Sequence, residues 1–331
     1  MVKKIWLWFP PQWIYFLAPL FLKIYRRLFS TPILYWKPFT WKHLYFPNPL
    51  GIAGGIDKNA EHIQDWWALG AGLCEVGTVT PKNQKPNSSK ILDRSLKHLS
   101  LWNYMGFPNK GTLFVKKQLQ SLPKTKKTPV FINIGKNRDT SLEHALEDYK
   151  KLIEELHPFA DLFVINISSP NTKDLRTLFD ENNLVTFLSK LKKFSNHLNP
   201  KIPLILKLSP DETKEDFFRI IDQSLEVDLD GWCLSNSTSK RIVPNLFPSH
   251  GGVSGKLLQK ESLALLNRLK NYLDQKKIQN KLIVSCGGVL TPQDVLERLE
   301  QGAHLVQVYS ALVFNGPGFF KQVSKFMLSR S

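Results

Sequence analysis

The sequence predicts an α/β chain closed into a (β/α)8 barrel, preceded by a small N-terminal helical extension. Three observations carry that prediction: eight short β-rich runs recur from residue 50 onward, amphipathic helical stretches separate most of them, and polar residues gather where the runs end. The runs are Leu50–Ile56, Leu73–Val79, Val130–Ile134, Leu162–Ile167, Leu204–Leu208, Gly231–Leu234, Leu282–Ser285 and Leu305–Val308. Nearly unbroken apolar runs are what parallel strands covered on both faces require. The helical stretches fall at 58–69, 142–156, 180–197, 213–227, 257–274 and 292–301. Eight such units in one chain fit a closed barrel better than an open sheet. No G-x-G-x-x-G follows any run, which argues against a dinucleotide-binding sheet.

Composition narrows the class. The chain has 331 residues, 42% of them apolar and 22% charged, which excludes disordered and collagen-like proteins. Cys74, Cys233 and Cys286 are scattered, without CxxC spacing or His at ligand spacing. A disulfide framework or a metal site is therefore not expected, and the default compartment is reducing. The net charge of +17 raises nucleic acid or an anionic membrane as partner. Its placement favours the membrane. No acidic residue precedes Asp57, whereas Lys3, Lys4, Lys23, Arg26, Arg27, Lys37 and Lys42 do; without these seven, 38 basic face 28 acidic residues.

Residues 1–40 read as a separate head and 41–331 as the barrel. The head is dense in aromatic residues, among them Trp6, Trp8, Trp13, Tyr15, Tyr25 and Trp36. From Ile5 to Leu22 it is apolar except for Gln12, but Pro10, Pro11 and Pro19 argue against one spanning helix. Two short helices are expected, one starting near Pro11, the other using Pro19 in its first turn and stopping at Ser30-Thr31-Pro32. Lys23, Arg26 and Arg27 share one face, and Leu17, Leu20, Ile24 and Leu28 form the opposing stripe. That pattern suits an interfacial helix on anionic lipid. A cleaved signal peptide, a spanning anchor and a lid packed on its own domain are the competing readings.

In a barrel, the residues that end the runs converge on one rim. Gly287-Gly288, just before Thr291-Pro292, offers backbone N–H groups at a helix start, a seat for phosphate alongside Gly255, Tyr309 and Ser310. Ala53-Gly54-Gly55 would let a flat ring lie against backbone, and Asn133 and Asn166 suit the amide edge of a heterocycle. Lys207, with no acid beside it in sequence, reads as a buried cation seeking an anion, which a reduced flavin would supply near its N1. Asn103, Asn171, Asn236, Lys58 and Ser237 look like a second, stacked site for a small planar carboxylate with imide-like edges. Asn103 comes from the irregular segment 80–107, read as an active-site loop. Ser169 stands where a proton acceptor could face that ligand, relayed by Thr172 or a water. The eight His residues read as surface or structural.

These motifs together resemble one family. Asn48-Pro49-Leu50-Gly51, Ala53-Gly54-Gly55-Ile56-Asp57-Lys58, Glu75-Val76-Gly77-Thr78-Val79-Thr80-Pro81, Asn103-Tyr104-Met105-Gly106-Phe107, Asn133-Ile134-Gly135-Lys136-Asn137, Asn166-Ile167-Ser168-Ser169-Pro170-Asn171-Thr172 and Val306-Gln307-Val308-Tyr309-Ser310 are similar to the class 2, quinone-dependent dihydroorotate dehydrogenases. The resemblance runs in order from about residue 48 to 316, and the Ser169 position is Cys in the soluble class 1 relatives. It implies that FMN is bound by Ala53, Gly54, Gly55, Ile56, Asp57, Lys58, Thr78, Asn133, Asn166, Lys207, Ser235, Gly255, Gly288, Tyr309 and Ser310. It implies that dihydroorotate or orotate is held by Lys58, Asn103, Tyr104, Met105, Gly106, Phe107, Asn166, Asn171, Asn236 and Ser237. Ser169 would take the C5 proton as hydride leaves C6, and electrons would pass to a membrane quinone entering beneath the head.

The same resemblance implies a step of pyrimidine biosynthesis and a peripheral protein on the cytoplasmic side of the cell inner membrane. It implies a monomer or weak homo-oligomer that binds neither metal nor nucleic acid. The sequence departs from the family pattern at Tyr104 (usually Arg), Ser235 and Ser237 (Thr), and Ser285-Cys286 (Gly and Val). The alternative, another FMN barrel such as a tRNA dihydrouridine synthase, would need a catalytic Cys in a strand-end loop and a C-terminal helical domain. A non-enzymatic, basic membrane-surface adaptor leaves the polar rim unexplained.

Overall fold

The computed structural model describes residues 4–29, 33–171 and 181–330. A 3-10 turn (Ile5–Trp8) and helix α1 (Pro11–Phe29) come first, then a hairpin of β1 (Phe39–Trp41) and β2 (Leu44–Phe46). Strands β3 (Leu50–Asp57) and β4 (Leu73–Val79) begin the barrel. After an antiparallel pair, β5 (Leu92–Ser95) and β6 (Ser100–Asn103), it continues through β7 (Val130–Ile134), β8 (Leu162–Asn166), β9 (Leu204–Leu208) and β10 (Gly231–Leu234). The short β11 (Gly252–Gly255) precedes the last barrel strands, β12 (Leu282–Cys286) and β13 (Leu305–Val308). Every barrel pairing is parallel, and β13 pairs with β3 to close the ring, Val306 opposite Leu50. The expected strands are all present.

Helices α2 (Ile63–Ala68), α3 (Thr112–Gln120), α4 (Ala145–Leu156), α5 (Glu181–Asn196) and α6 (Lys214–Glu226) connect the first strands. Helices α7 (Lys256–Gln275), α8 (Pro292–Glu300), α9 (Ser310–Asn315) and α10 (Phe319–Leu328) complete the chain.

The period-two geometry of a strand decides what faces inward. On β7, Phe131 packs into the barrel interior while Ile132 and Ile134 pack outward against the helices. Asn133 therefore falls on the inner face. On β8 the same alternation turns Leu162, Val164 and then Asn166 inward, and on β9 Ile205 and then Lys207. The interior is apolar at the amino ends of the strands and polar at their carboxyl ends.

The hairpin closes the amino end of the barrel. Trp41, Leu44 and Phe46 join Phe131, Leu162 and Leu282 in the interior cluster, with Phe46 edge-on to Phe131 at 6.1 Å. Trp41 donates its indole N–H to the Asn280 carbonyl, and Lys42 pairs with Asp230. These aromatic residues are core, not part of a lipid-facing surface. The hairpin also crosses the boundary expected between residues 40 and 41.

Segment 80–107 is not an irregular loop. Its β5–β6 hairpin joins β11 in a three-stranded antiparallel sheet on the rim, with Asn103 opposite both Leu92 and Gly252. The register runs straight through Trp102, Leu101 and Ser100.

The head also differs from expectation. Residues 11–29 form one helix with Pro19 inside it, not two short helices. An internal Pro costs roughly 3 kcal/mol in a helix, and tertiary anchors hold α1 across it. Leu22 is buried in the main core, Gln12 donates to the Ser89 carbonyl, and Arg26 pairs with buried Asp65 at 3.1 Å. Arg26 is therefore engaged by the barrel through Asp65, leaving Lys23 and Arg27 on the exposed side. The expected stop at residues 30–32 lies outside the described residues. Leu17, Leu20, Ile24 and Leu28 are 45–69% exposed, as the interfacial pattern requires. Among the described residues, no helix is long and apolar enough to cross a membrane.

Candidate functional site

The carboxyl ends of the strands surround a cavity of about 1030 Å³, counted with its open mouth. Four of its walls are polar layers supplied by different strands.

The deepest layer is a buried network. Asn133 Oδ1 accepts from the Thr78 hydroxyl at 2.7 Å and from Asn166 Nδ2 at 3.2 Å. Asn133 Nδ2 donates to Glu75 Oε1 at 2.6 Å, and Gln307 Nε2 donates to Glu75 Oε2 at 2.7 Å. Lys207 Nζ lies 3.3 Å from Glu75 Oε1. Lys207 is thus not a cation without an anion: Glu75, inward-facing on β4, already supplies one. Burial pulls the Lys207 pKa down, but Glu75, followed by smaller contributions from Cys233 and Cys286, holds it above the ordinary lysine value.

Above this layer the backbone is bare. A Cβ on Gly54 would sit 2.3 Å from Glu75 Oε1, so no side chain fits there. Gly55 has φ +96 and faces Tyr309. Lys58 Nζ donates to the Gly55 carbonyl at 2.6 Å and lies over the Tyr15 ring of α1 at 4.7 Å. Burial lowers the Lys58 pKa, yet Tyr15 and Tyr309 outweigh it and leave the ammonium favoured.

The opposite wall holds Ser169 and the amides. The Asn171 N–H donates to Ser169 Oγ at 3.2 Å, and Asn171 Nδ2 donates to Asn103 Oδ1 at 2.8 Å. Asn171 Oδ1 is buried without a partner among the described residues. Asn236 Nδ2 donates to Ser168 Oγ at 3.1 Å, and its Oδ1 accepts from the Ser237 N–H at 2.9 Å. Met105, Gly106 and Phe107 line the same side. Thr172, the expected relay, lies outside the described residues.

The fourth wall is Ser235, Gly288, Tyr309 and Ser310, joined by Cys286, Gly287 and Val289. The expected seat lies in the glycine turn itself, ahead of the helix. The cap of α8 takes three N–H groups around its start: the Thr291 hydroxyl accepts from Asp294 N–H, and Asp294 accepts from the Leu290 and Thr291 N–H groups. Free donors on the cavity side lie in the glycine turn. Among the described residues, no acceptor meets the N–H of Gly288 or Val289.

Four expected positions stand outside the wall. Asp57 turns away, its carboxylate accepting the Glu61 and His62 N–H groups at 2.9 and 2.8 Å. Ile56 packs on the helical side of the core. Gly255 turns the chain into α7 at φ +86, with its Cα hydrogen against the Leu99 carbonyl. Tyr104 stacks on Trp102 and meets His250 edge-on at 4.6 Å, riveting two loops where a substrate contact was expected.

The cysteines carry no reactive thiolate. Burial pushes all three thiols up, well above their ordinary value at Cys74 and Cys233. Among the described residues no group of three His, Cys, Asp or Glu is placed to hold a metal ion. Sequence reasoning passed over Glu75 and Gln307 as site residues. Both carried a signal, a polar residue inside an apolar strand run, which inward alternation from Leu73 and from Leu305 could have placed.

A closed ring of eight parallel strands with one polar-walled cavity at their carboxyl ends defines the class, a (β/α)8-barrel enzyme. Within that class the chain belongs to the dihydroorotate dehydrogenase family, whose model matches residues 39–330. It is 41% identical over 281 residues to a dihydroorotate dehydrogenase (quinone) of Thermus thermophilus, covering 83% of this chain and 77% of that one. It is 36% identical over 331 residues to the dihydroorotate dehydrogenase (quinone) of Coxiella burnetii, covering 98% and 90%. The crystal structure of DHODH from Eimeria tenella in complex with ferulenol superposes with a TM-score of 0.85 at 28% identity, covering 97% and 91%. The family is one of flavin-dependent oxidoreductases. Nothing among these relatives points to a tRNA dihydrouridine synthase.

Proposed function

We propose that this protein is a dihydroorotate:quinone oxidoreductase that oxidises dihydroorotate to orotate in pyrimidine biosynthesis, with FMN as its flavin. The observation that carries the reading is the convergence of Ser169, Lys58, the three amides Asn103, Asn171 and Asn236, and Lys207 on one cavity. The cavity fits FMN on its own features. The side-chain-free Gly54–Gly55 stretch takes a flat ring, the Thr78–Asn133–Asn166 network meets a heterocycle's edge, and the unpaired turn N–H groups suit a phosphate. Bound there, the flavin supplies the acceptor for the hydride that leaves C6 of the substrate.

The chain's own residues do the rest. Lys58 places a cation for the substrate carboxylate, and the Asn103, Asn171 and Asn236 amides pair with its imide edges, the free Asn171 Oδ1 offering one acceptor. Ser169 Oγ takes the C5 proton. Its hydroxyl is desolvated, and the Asn171 N–H stabilises charge growing on the oxygen. Its own proton leaves through a relay for which Thr172, three residues on, or a water is the candidate. Lys207 and Glu75 fix the charge beneath the ring.

The head belongs to the second half-reaction. Tyr15 packs with Leu92 and Met105, and Leu7 with Leu101 and Tyr309, so the head roofs one side of the cavity. Arg94 holds it there through the carbonyls of Leu7 and Phe9. The exposed stripe of α1, with Lys23 and Arg27 beside it, docks on an anionic lipid surface, and the quinone enters beneath the head. On this reading the protein is peripheral, and its expected setting is the cytoplasmic side of the cell inner membrane, as a monomer or weak homo-oligomer.

The test is dihydroorotate-dependent quinone reduction by wild type and Ser169→Ala. The variant should keep its FMN and lose about 10²–10⁴-fold in turnover, the range of a general base. Turnover within about threefold of wild type would remove Ser169 from the proton-transfer step.

A further inference from the structure

We propose that Arg298 is a positioning residue for the cofactor phosphate: from behind the barrel wall it fixes the Gly287–Gly288 turn and lends the turn a buried positive charge. The proposal rests on the FMN reading above and concerns how this chain holds the phosphate end.

Arg298 lies on α8, fully buried, and touches no part of the cavity itself. Nη2 donates to the Gly287 carbonyl at 3.0 Å, to Ser262 Oγ at 2.9 Å and to the Gln259 carbonyl at 3.1 Å. Nη1 donates to Ser285 Oγ at 3.1 Å. The acceptors are all neutral. Among the described residues no carboxylate lies within ion-pair distance of this guanidinium, and its Nε has no partner. Burial, the largest influence on it, lowers its pKa to about 10, still far above neutrality. Glu297 and Asp294 offset that burial only in part and without a bonded contact, so the guanidinium remains a buried cation with no paired carboxylate, which an anion in the cavity would stabilise.

The glycine turn shows where that anion sits. A peptide unit is planar and trans, so its C=O and N–H point to opposite sides. The Gly287 carbonyl faces back to Arg298 and to the Ser262 hydroxyl, which donates to it at 2.7 Å. The Gly288 N–H of the same peptide faces the other way, on the residue that lines the cavity, and it has no acceptor among the described residues. A guanidinium bonded to a carbonyl polarises that peptide and strengthens its N–H as a donor. Gly288 admits no side chain, since a Cβ there would lie 2.2 Å from Gln259 Cα. Ser285, where the family pattern has Gly, gives Arg298 an acceptor that a glycine would lack.

The alternative is that Arg298 only bolts α7, α8 and β12 together. The full-length protein, stripped of its flavin and reloaded with FMN or with riboflavin, separates the two, because riboflavin lacks the phosphate. Arg298→Met should weaken FMN by about tenfold or more, the value of a hydrogen bond to a charged group, and riboflavin by less than about threefold. Arg298→Lys keeps the charge and should keep the FMN-over-riboflavin preference within about threefold. Equal weakening of both flavins in Arg298→Met, or unchanged FMN affinity, would overturn the proposal in favour of the bolt. Should Arg298→Met not fold, Arg298→Lys decides, a collapsed preference for FMN being the overturning result. Failure of the wild type to bind either flavin would instead sink the FMN reading, and this proposal with it.

Discussion

Glu75 carries the polar layer at the bottom of the cavity, since Asn133, Gln307 and Lys207 all meet its carboxylate. With the carboxylate present, Lys207 presents little net charge to a ring above it. In Glu75→Gln the ammonium acts alone, and a reduced, anionic ring is favoured. The flavin midpoint potential should rise by roughly 30 mV or more, equivalent to about 1.4 kcal/mol for two electrons. An unchanged potential in redox titration would mean that the pair is structural only. The inward residues Asn133, Asn166 and Lys207 were legible because each interrupts an apolar run at a fixed parity. Glu75 sits in a run just as regular, but pairing it with Lys207 needs the barrel closed, as the two are 132 positions apart. Tyr104 misled for the opposite reason: its loop matches a substrate motif, while its ring is captured by Trp102 and His250.

Among the elements, the barrel strands were readable from apolar runs and their polar ends, because strand pairing in a parallel barrel repeats one local rule. The head was not, because tertiary contacts decide its form. Pro19 signals a break, and the Arg26–Asp65 pair together with Leu22 holds one helix through it. Trp36, Trp41 and Phe46 resemble the exposed aromatic residues of the head in composition and differ only in being covered. Two predictions belong here. Leu20→Glu with Ile24→Glu should cut binding to anionic vesicles and quinone reduction by at least about tenfold, since each replaces an apolar contact with a charge. Flavin reduction by dihydroorotate should be untouched; parallel loss of both would mean that α1 supports the barrel and does not dock. Asp230 ties the hairpin to β9, accepting from Lys42, Lys192 and the Leu204 N–H. Burial raises its pKa, and those partners more than reverse the effect, leaving the carboxyl below its ordinary value. A depressed carboxyl contributes stability above the unfolded pKa and loses it as pH falls through the folded one. Thermal stability should hold from about pH 8 to 5 and fall below about pH 4. Asp230→Asn should cost about 3 kcal/mol near neutrality and flatten that acid limb. A variant as stable as wild type near neutral pH would show that the clamp contributes nothing.

For the whole molecule, three parts divide the work. The hairpin seals the apolar end of the barrel, the rim holds the chemistry, and the head covers the rim while exposing an apolar stripe outward. The basic charge that suggested nucleic acid is thereby explained in part by one end of the chain. On the proposed reading the two half-reactions share a single ring system without sharing a door: the pyrimidine would meet Ser169, and the quinone would come from the side of the head. Anaerobic mixing of the purified protein with dihydroorotate, followed at the flavin absorbance, tests that arrangement most directly. The absorbance should bleach within one turnover and return when a quinone is added. A flavin that dithionite bleaches but dihydroorotate does not would contradict it.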